Sequence, residues 1–178
     1  MRYFIFSILS IGMLFLPLIA KTTDPIPAPY GKIYLMPNTQ FKPDKSMPEH
    51  KMVFDLTKGS SSPKEVNPSL DRIARTINLY AAVGISPSVL KIVAVASGDA
   101  TPLALDNAHY HEKFGVNNPN LALIDDLKKL GVQISVCSQA WAEHDYKPQW
   151  VYKNVLLALS GATTLISFQE KGYVLIPL

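Results

Sequence analysis

The sequence predicts an α/β fold: three-layer α/β/α, with a mainly parallel sheet of about five strands and helices on both faces. Three observations point there. Residues 89–96, VLKIVAVA, form a nearly unbroken apolar and β-branched run, the pattern of a strand covered on both faces. Two helix starts of the same kind, Asn67-Pro68 and Asn118-Pro119, precede amphipathic stripes. Short apolar runs alternate with those stripes along the chain, which implies right-handed crossovers between parallel neighbours.

Each element has its own local cause. Residues 52–56 make a strand by length, ended by the breaker run Gly59-Ser60-Ser61-Ser62-Pro63. In the following helix Asn67 caps, Pro68 takes the first helical position, and Leu70, Ile73, Ala74, Ile77 and Ala81 share one face before Gly84 stops it. After the strand at residues 89–96, the stretch Ser97-Gly98-Asp99-Ala100-Thr101-Pro102 is a turn expected to open a helix with Pro102 in its first turn. Asn118 is expected to cap the next helix, with Pro119 following and Leu123, Ile124, Leu127 and Leu130 as its stripe. Lys128, Lys129 and Gly131 close it, the lysines complementing the negative helix end. Residues 132–137 are a strand, and residues 138–146 a short helix. Period does not decide whether residues 154–159 are a strand or the start of a helix. Residues 160–171 are expected to be helical with Gly172 as the stop, and residues 173–176 form the last strand.

The N-terminal third differs. Residues 1–20, MRYFIFSILSIGMLFLPLIA, carry one charge, Arg2, then an apolar run and a small Ala20 before Lys21. This matches a secretory signal peptide, so the expected location is periplasmic or secreted. No second apolar stretch is long enough to span a bilayer, and no membrane contact is expected after cleavage. Residues 21–50 contain six prolines (Pro25, Pro27, Pro29, Pro37, Pro43 and Pro48), which excludes regular helix. Residues 32–36, KIYLM, could make a short strand or hairpin arm. The stretch is either an arm, lying across the domain or reaching a neighbouring subunit, or a flexible linker. The domain proper occupies residues 51–178. Its charge is nearly balanced: 17 Lys and Arg against 14 Asp and Glu in the whole chain give +3. With no basic run or aromatic-basic stripe, nucleic acid is not an expected partner.

In open parallel sheets ligands gather beyond the carboxyl ends of the strands. Three strand exits therefore converge: Asp55 and Thr57; Ser97, Gly98, Asp99 and Thr101; and Cys137, Ser138 and Gln139, with His144 beyond. Cys137 is the one cysteine of the chain, so it has no internal disulfide partner. At a strand-to-helix junction, amide donors and the helix dipole lower a thiol's pKa and raise its nucleophilic fraction. Glu143 and Asp145 act the other way, and His144 and Lys147 partly cancel them. The alternative is a small buried cysteine closing a strand, chemically inert.

Other constellations carry less. His109 and His111 are two apart, a spacing that diverges by roughly 200° on a helix, and a metal site would need His144 or Cys137 brought in. They are taken as surface polar residues, and no metal is expected. Ser97-Gly98-Asp99 could offer amides to an anion, but the GxGxxG and GKS/GKT spacings are missing and no cofactor is inferred. Ser97, Asp99 and His144 hold the letters of a hydrolase triad without the GxSxG elbow. Trp141, Tyr146, Trp150 and Tyr152 suit a core or subunit interface as well as a ligand.

The stretch LIDDLKKLGVQISVCSQA joins an amphipathic helix ending at Gly131-Val132, a strand, and Cys137 at the strand tip with Ala140 beyond. It resembles the DsrE/DsrF-like family of small α/β proteins, and the resemblance runs from Lys51 to Leu178, including the turn at Ser97 and the final QEKGYVLIPL. The resemblance is nearest to exported, largely uncharacterised members. It implies a sulfur-relay role in which Cys137 accepts sulfane sulfur as a persulfide, with donor and acceptor proteins as partners and a homotrimer or homohexamer as the assembly. Under that implication Ser138 and Gln139 supply hydrogen bonds, and Ser97 with Asp99 lines the approach. The signal peptide and the proline-rich arm depart from the cytoplasmic relay proteins. Two function classes are therefore expected: a periplasmic sulfur carrier, or a non-catalytic oligomeric binding or scaffold protein with a structural Cys137.

Overall fold

The computed structural model describes residues 24–178, and the expected signal peptide at residues 1–20 lies outside them. Five parallel strands form one sheet in the order β4-β3-β2-β1-β5: β1 His50–Leu56, β2 Leu90–Ala96, β3 Gln133–Cys137, β4 Leu156–Ala158 and β5 Val174–Pro177. The helices between them are α1 Pro68–Ala82, α2 Asn107–Phe114, α3 Leu121–Lys129, α4 Ser138–Glu143 and α5 Gly161–Glu170. From β1 to β4 the strands march in one direction, and right-handed crossovers then put their helices on one face. The return from β4 across the sheet to β5 reverses direction and puts α5 on the other.

The core follows that topology. On the first face Met52, Phe54, Leu56, Ile92, Ala94, Ile134 and Val136 meet Leu70, Ile73, Ile77, Leu123, Ile124 and Leu127, all buried. Burying each leucine or isoleucine there contributes roughly 1.5–3 kcal/mol. The alternate residues Val53, Val93 and Val95 point to the second face, where Leu165, Phe168 and Tyr173 pack on them. The fold is thus the expected α/β/α sandwich, with α5 the single helix on its second face among the described residues.

Local chemistry sets the element ends, in three places otherwise than expected. α1 begins as the sequence implies: Asn67 Oδ1 accepts from the amides of Ser69 (2.9 Å) and Leu70 (3.2 Å), with Pro68 next. The turn after β2 does not open an α-helix at Pro102. It winds as a 3-10 helix over Gly98–Ala104 with Pro102 inside, a geometry in which the missing proline N–H is absorbed, and α2 starts only at Asn107. There Asp106 Oδ1 accepts from the His109 amide at 2.9 Å.

Asn118 does not cap α3 either. Its side chain is drawn into the interior, where Nδ2 donates to the carbonyls of Leu103 (3.1 Å) and Leu105 (2.7 Å) and Oδ1 accepts from Asn120. Asn120 Oδ1 in turn accepts from the Asn67 amide at 2.7 Å, and Asn67 Nδ2 donates to the Lys58 carbonyl at 2.8 Å. Three buried asparagines thereby tie the loop after β1, the start of α1, the 3-10 turn and the start of α3 into one rigid corner. The third departure is residues 32–36, which form no strand. Residues 154–159 resolve as the short strand β4.

The proline-rich segment packs on the chain's own α1 at its start. Ile26 is fully buried, and Asn78 grips it: Oδ1 accepts from the Ile26 amide and Nδ2 donates to the Ile26 carbonyl, both at 2.9 Å, and to the Gly31 carbonyl at 3.1 Å. Gly31 has φ +60 and lies so close to α1 that a Cβ would sit 2.8 Å from the Ala74 carbonyl carbon. Glycine is required there both for backbone conformation and for space. Beyond it Tyr34, Leu35, Met36 and Phe41 are exposed.

Candidate functional site

The carboxyl ends of β1, β2 and β3 lie side by side because the strands are parallel and in register, with Leu56 opposite Ala96 and Ala96 opposite Val136. One residue further, the side chains of Thr57, Ser97 and Cys137 share the face that carries α5, since residues alternate along a strand. Ser97 continues the ladder by donating its amide to the Leu56 carbonyl at 2.9 Å. Cys137 closes β3 and α4 begins at the next residue.

The start of α5 covers this row. Ser160 caps it, its hydroxyl accepting from the Thr163 amide at 3.0 Å, and Gly161 is its first residue. A Cβ placed on Gly161 would lie 3.7 Å from the Cβ atoms of both Cys137 and Ser97 and 3.8 Å from Ser97 Oγ. The first residue of α5 thus lies directly over the Cys137 and Ser97 side chains, at a distance that leaves room for ordinary van der Waals contact. The first amides of α5 have no acceptor within the helix, and its positive end faces the Cys137 and Ser97 pair. Cys137 is 7% exposed.

A profile of the DsrE/DsrF-like family matches residues 51–178. The chain belongs to the DsrE/DsrF-like family. The match begins one residue inside β1, so the proline-rich segment lies outside it. No curated protein matches the chain. Among solved structures, a protein of unknown function from Methanobacterium thermoautotrophicum is similar with a TM-score of 0.54 and 18% identity, over 73% of this chain and 100% of that one. That likeness concerns the fold.

Within this DsrE/DsrF-like domain the residues expected at the strand exits divide into two groups. Ser97 and Cys137 meet beneath Gly161. Ser138 and Gln139 are beside them but hold the chain rather than the cysteine: Ser138 Oγ donates to the Leu159 carbonyl at 2.7 Å, and Gln139 Nε2 donates to the same oxygen at 3.2 Å. They fix the approach of the β4–α5 connection. Thr57, on the same face two strands away, donates to the Leu178 carbonyl at 3.3 Å. Asp55 stands one row back, and burial pushes its carboxyl above the usual carboxylate range.

The second group turns away. Asp99 and His144 line a cavity of about 590 Å³ on the opposite side of the 3-10 turn. Gly98, at the top of that turn, has φ +52, and its carbonyl lies 3.4 Å from His144 Nε2. Thr101 is fully buried and lines no opening, contrary to its expected place, because the 3-10 winding directs it inward. Ser97 and Asp99 therefore face different spaces, and the three letters of a hydrolase triad do not meet. His109 lies on α2 with its Nδ1 2.8 and 2.9 Å from the Asp106 carboxylate oxygens and its ring stacked on Trp150 at 4.4 Å, while His111 is exposed.

Sequence reasoning missed Ser160 and Gly161. Their local signal, a serine followed by glycine after the apolar run LLAL, marks a helix start but not its target; the target follows from the crossover back over the sheet.

Proposed function

We propose that this DsrE/DsrF-like domain carries sulfane sulfur on Cys137. The observation that supports it best is the convergence of the chain's one cysteine, the Ser97 hydroxyl and the N-terminus of α5 at the tip of the central parallel strands. In this reading the Cys137 thiolate attacks the outer sulfur of a donor persulfide, R–S–SH. A new S–S bond forms as the donor's own S–S bond breaks, and the donor leaves as the thiolate R–S⁻ with the bonding electrons. Cys137 then holds –S–SH until an acceptor thiolate attacks that outer sulfur and releases the Cys137 thiolate. No net oxidation occurs, since one S–S bond replaces another in each step. The Ser97 hydroxyl and the α5 amides are the donors available to the outer sulfur while it is held. The same proposal includes export, assembly as a homotrimer or homohexamer, and a protein donor and acceptor for the sulfur.

Incubation with polysulfide followed by intact-mass measurement tests it. One or more added sulfur masses, removed by dithiothreitol and lost in Cys137→Ala, are the expected result. An unmodified protein whose thiol reacts with iodoacetamide only after denaturation would overturn it.

The low exposure of Cys137 favours a second reading, in which the cysteine is packing in a binding or scaffold protein. In that case Cys137→Ala leaves partner binding and assembly unchanged and there is no sulfur transfer to lose.

A further inference from the structure

The cavity behind the 3-10 turn has a chemistry of its own. Its volume, about 590 Å³, lies within the usual range of small-molecule sites. Lys58, from the loop after β1, and Lys113, from α2, line it; both are exposed, and neither joins an ion pair among the described residues. Asp99 is the carboxylate of the lining, so the two lysines leave the cavity net positive.

Three aromatic residues, Tyr110, Phe114 and Tyr146, stand in the same wall, beside the polar Ser60, Ser62, Asn67 and Asn120. Tyr110 and Phe114 lie 4.6 Å apart between ring centroids, and Tyr110 is anchored by donating its hydroxyl to the Pro63 carbonyl at 3.0 Å. The Tyr146 ring is stacked on His144 at 5.2 Å, and Lys113 Nζ sits 4.8 Å from its centroid. Tyr146 is 7% exposed, yet its hydroxyl has no hydrogen-bond partner among the described residues. Burial pushes that hydroxyl up to about 12, so it remains a proton donor at physiological pH. A buried donor left without an acceptor is costly, and native structures keep few of them. The loop opposite is fixed as well: a Cβ on Gly59 would lie 2.9 Å from the Asp99 carbonyl oxygen, and Asn67 holds the Lys58 carbonyl.

We propose that this cavity binds a small organic anion, its charge answered by Lys58 and Lys113 and its apolar body resting on Tyr110, Phe114 and Tyr146. Two unpaired ammonium groups beside a rigid aromatic wall select for charge and for an apolar body together; a simple inorganic ion would use only the first. The site lies on the far side of the turn from Cys137 and does not depend on sulfur chemistry there.

Titration of the isotope-labelled protein with phenyl phosphate, benzoate and neutral benzyl alcohol, followed by amide NMR, tests the proposal. At least one of the two anions is expected to give saturable shifts at Gly59, Asp99 and Lys113, with benzyl alcohol about tenfold weaker. The better of the two anions identifies the headgroup as phosphate or carboxylate, and equal binding still supports the anion site. Lys58→Met combined with Lys113→Met, at exposed positions, should weaken the anion by about tenfold or more while the spectrum stays dispersed. Shifts from neither anion, equal binding of benzyl alcohol, or a double variant that binds as well as the parent would each overturn the proposal.

Discussion

Single side chains in this domain balance packing against unmet polar demand. The Tyr146 hydroxyl is the plainest case: it is buried and has no hydrogen-bond partner among the described residues. Tyr146→Phe removes that group without opening a cavity and is expected to stabilise the unliganded protein, by up to about 1–3 kcal/mol. Urea unfolding of the two proteins, with the midpoint rising at unchanged slope, is the check. Asp55 gives a second case. Its carboxyl is raised by burial, so the folded state holds the proton to higher pH than the unfolded chain. Asp55 therefore contributes no penalty when both states are protonated, and stability falls as pH rises from the ordinary carboxylate range through the raised value. Asp55→Asn should flatten that part of the stability profile, with the variant gaining on the parent as pH rises through the window. Urea midpoints measured through the acid range would show the reverse trend, or none, if the carboxyl were not desolvated.

Elements join through backbone groups as much as through apolar faces. Asn78 on α1 holds the proline-rich segment with three hydrogen bonds, and Ile26 is buried beside it. Asn78→Ala leaves those backbone groups without partners and should cost about 1–3 kcal/mol, or release the segment instead. Limited proteolysis separates the two outcomes: cleavage within residues 24–48 at native conditions marks release, and a fall in midpoint without cleavage marks strain in place. β1, β2, β3, β5 and α1 were legible in the sequence because their causes are local, an apolar run in the strands and Asn67-Pro68 in the helix, whereas three-residue β4 is too short for its period to separate strand from helix. Asn118-Pro119 looks the same on paper, yet its asparagine serves the carbonyls of Leu103 and Leu105, a demand visible only once the 3-10 turn is folded against it. The helix after β2 was placed too early, opening at Pro102, because HYHEKF presents one buried side chain, Tyr110, and no stripe that marks where α2 begins. Of the site, Cys137 at a strand tip could be read directly. Gly161 could not, because its neighbours are set by a crossover spanning the sheet.

At the scale of the whole molecule, support is uneven across the sheet. β1 and β2 are central, covered by helices on both faces, whereas β4 is an edge of three residues with Leu156 and Leu157 largely open and Leu159 beyond it 76% exposed. Hydrogen exchange should therefore be slowest at the amides of β1 and β2 and fastest, among strands, in β4. Equal protection at the β4 edge in the isolated protein would mean that something covers it in solution. The turn at Gly98–Ala104 stands between two compartments: Ser97, at its start, touches the ground beneath Gly161, and Asp99, two residues on, belongs to the basic cavity. One thin partition thus separates the two sites proposed above. If an anion in the cavity changes the binding of a sulfur donor at Cys137 by some factor, thermodynamic reciprocity requires the donor to change anion binding by the same factor.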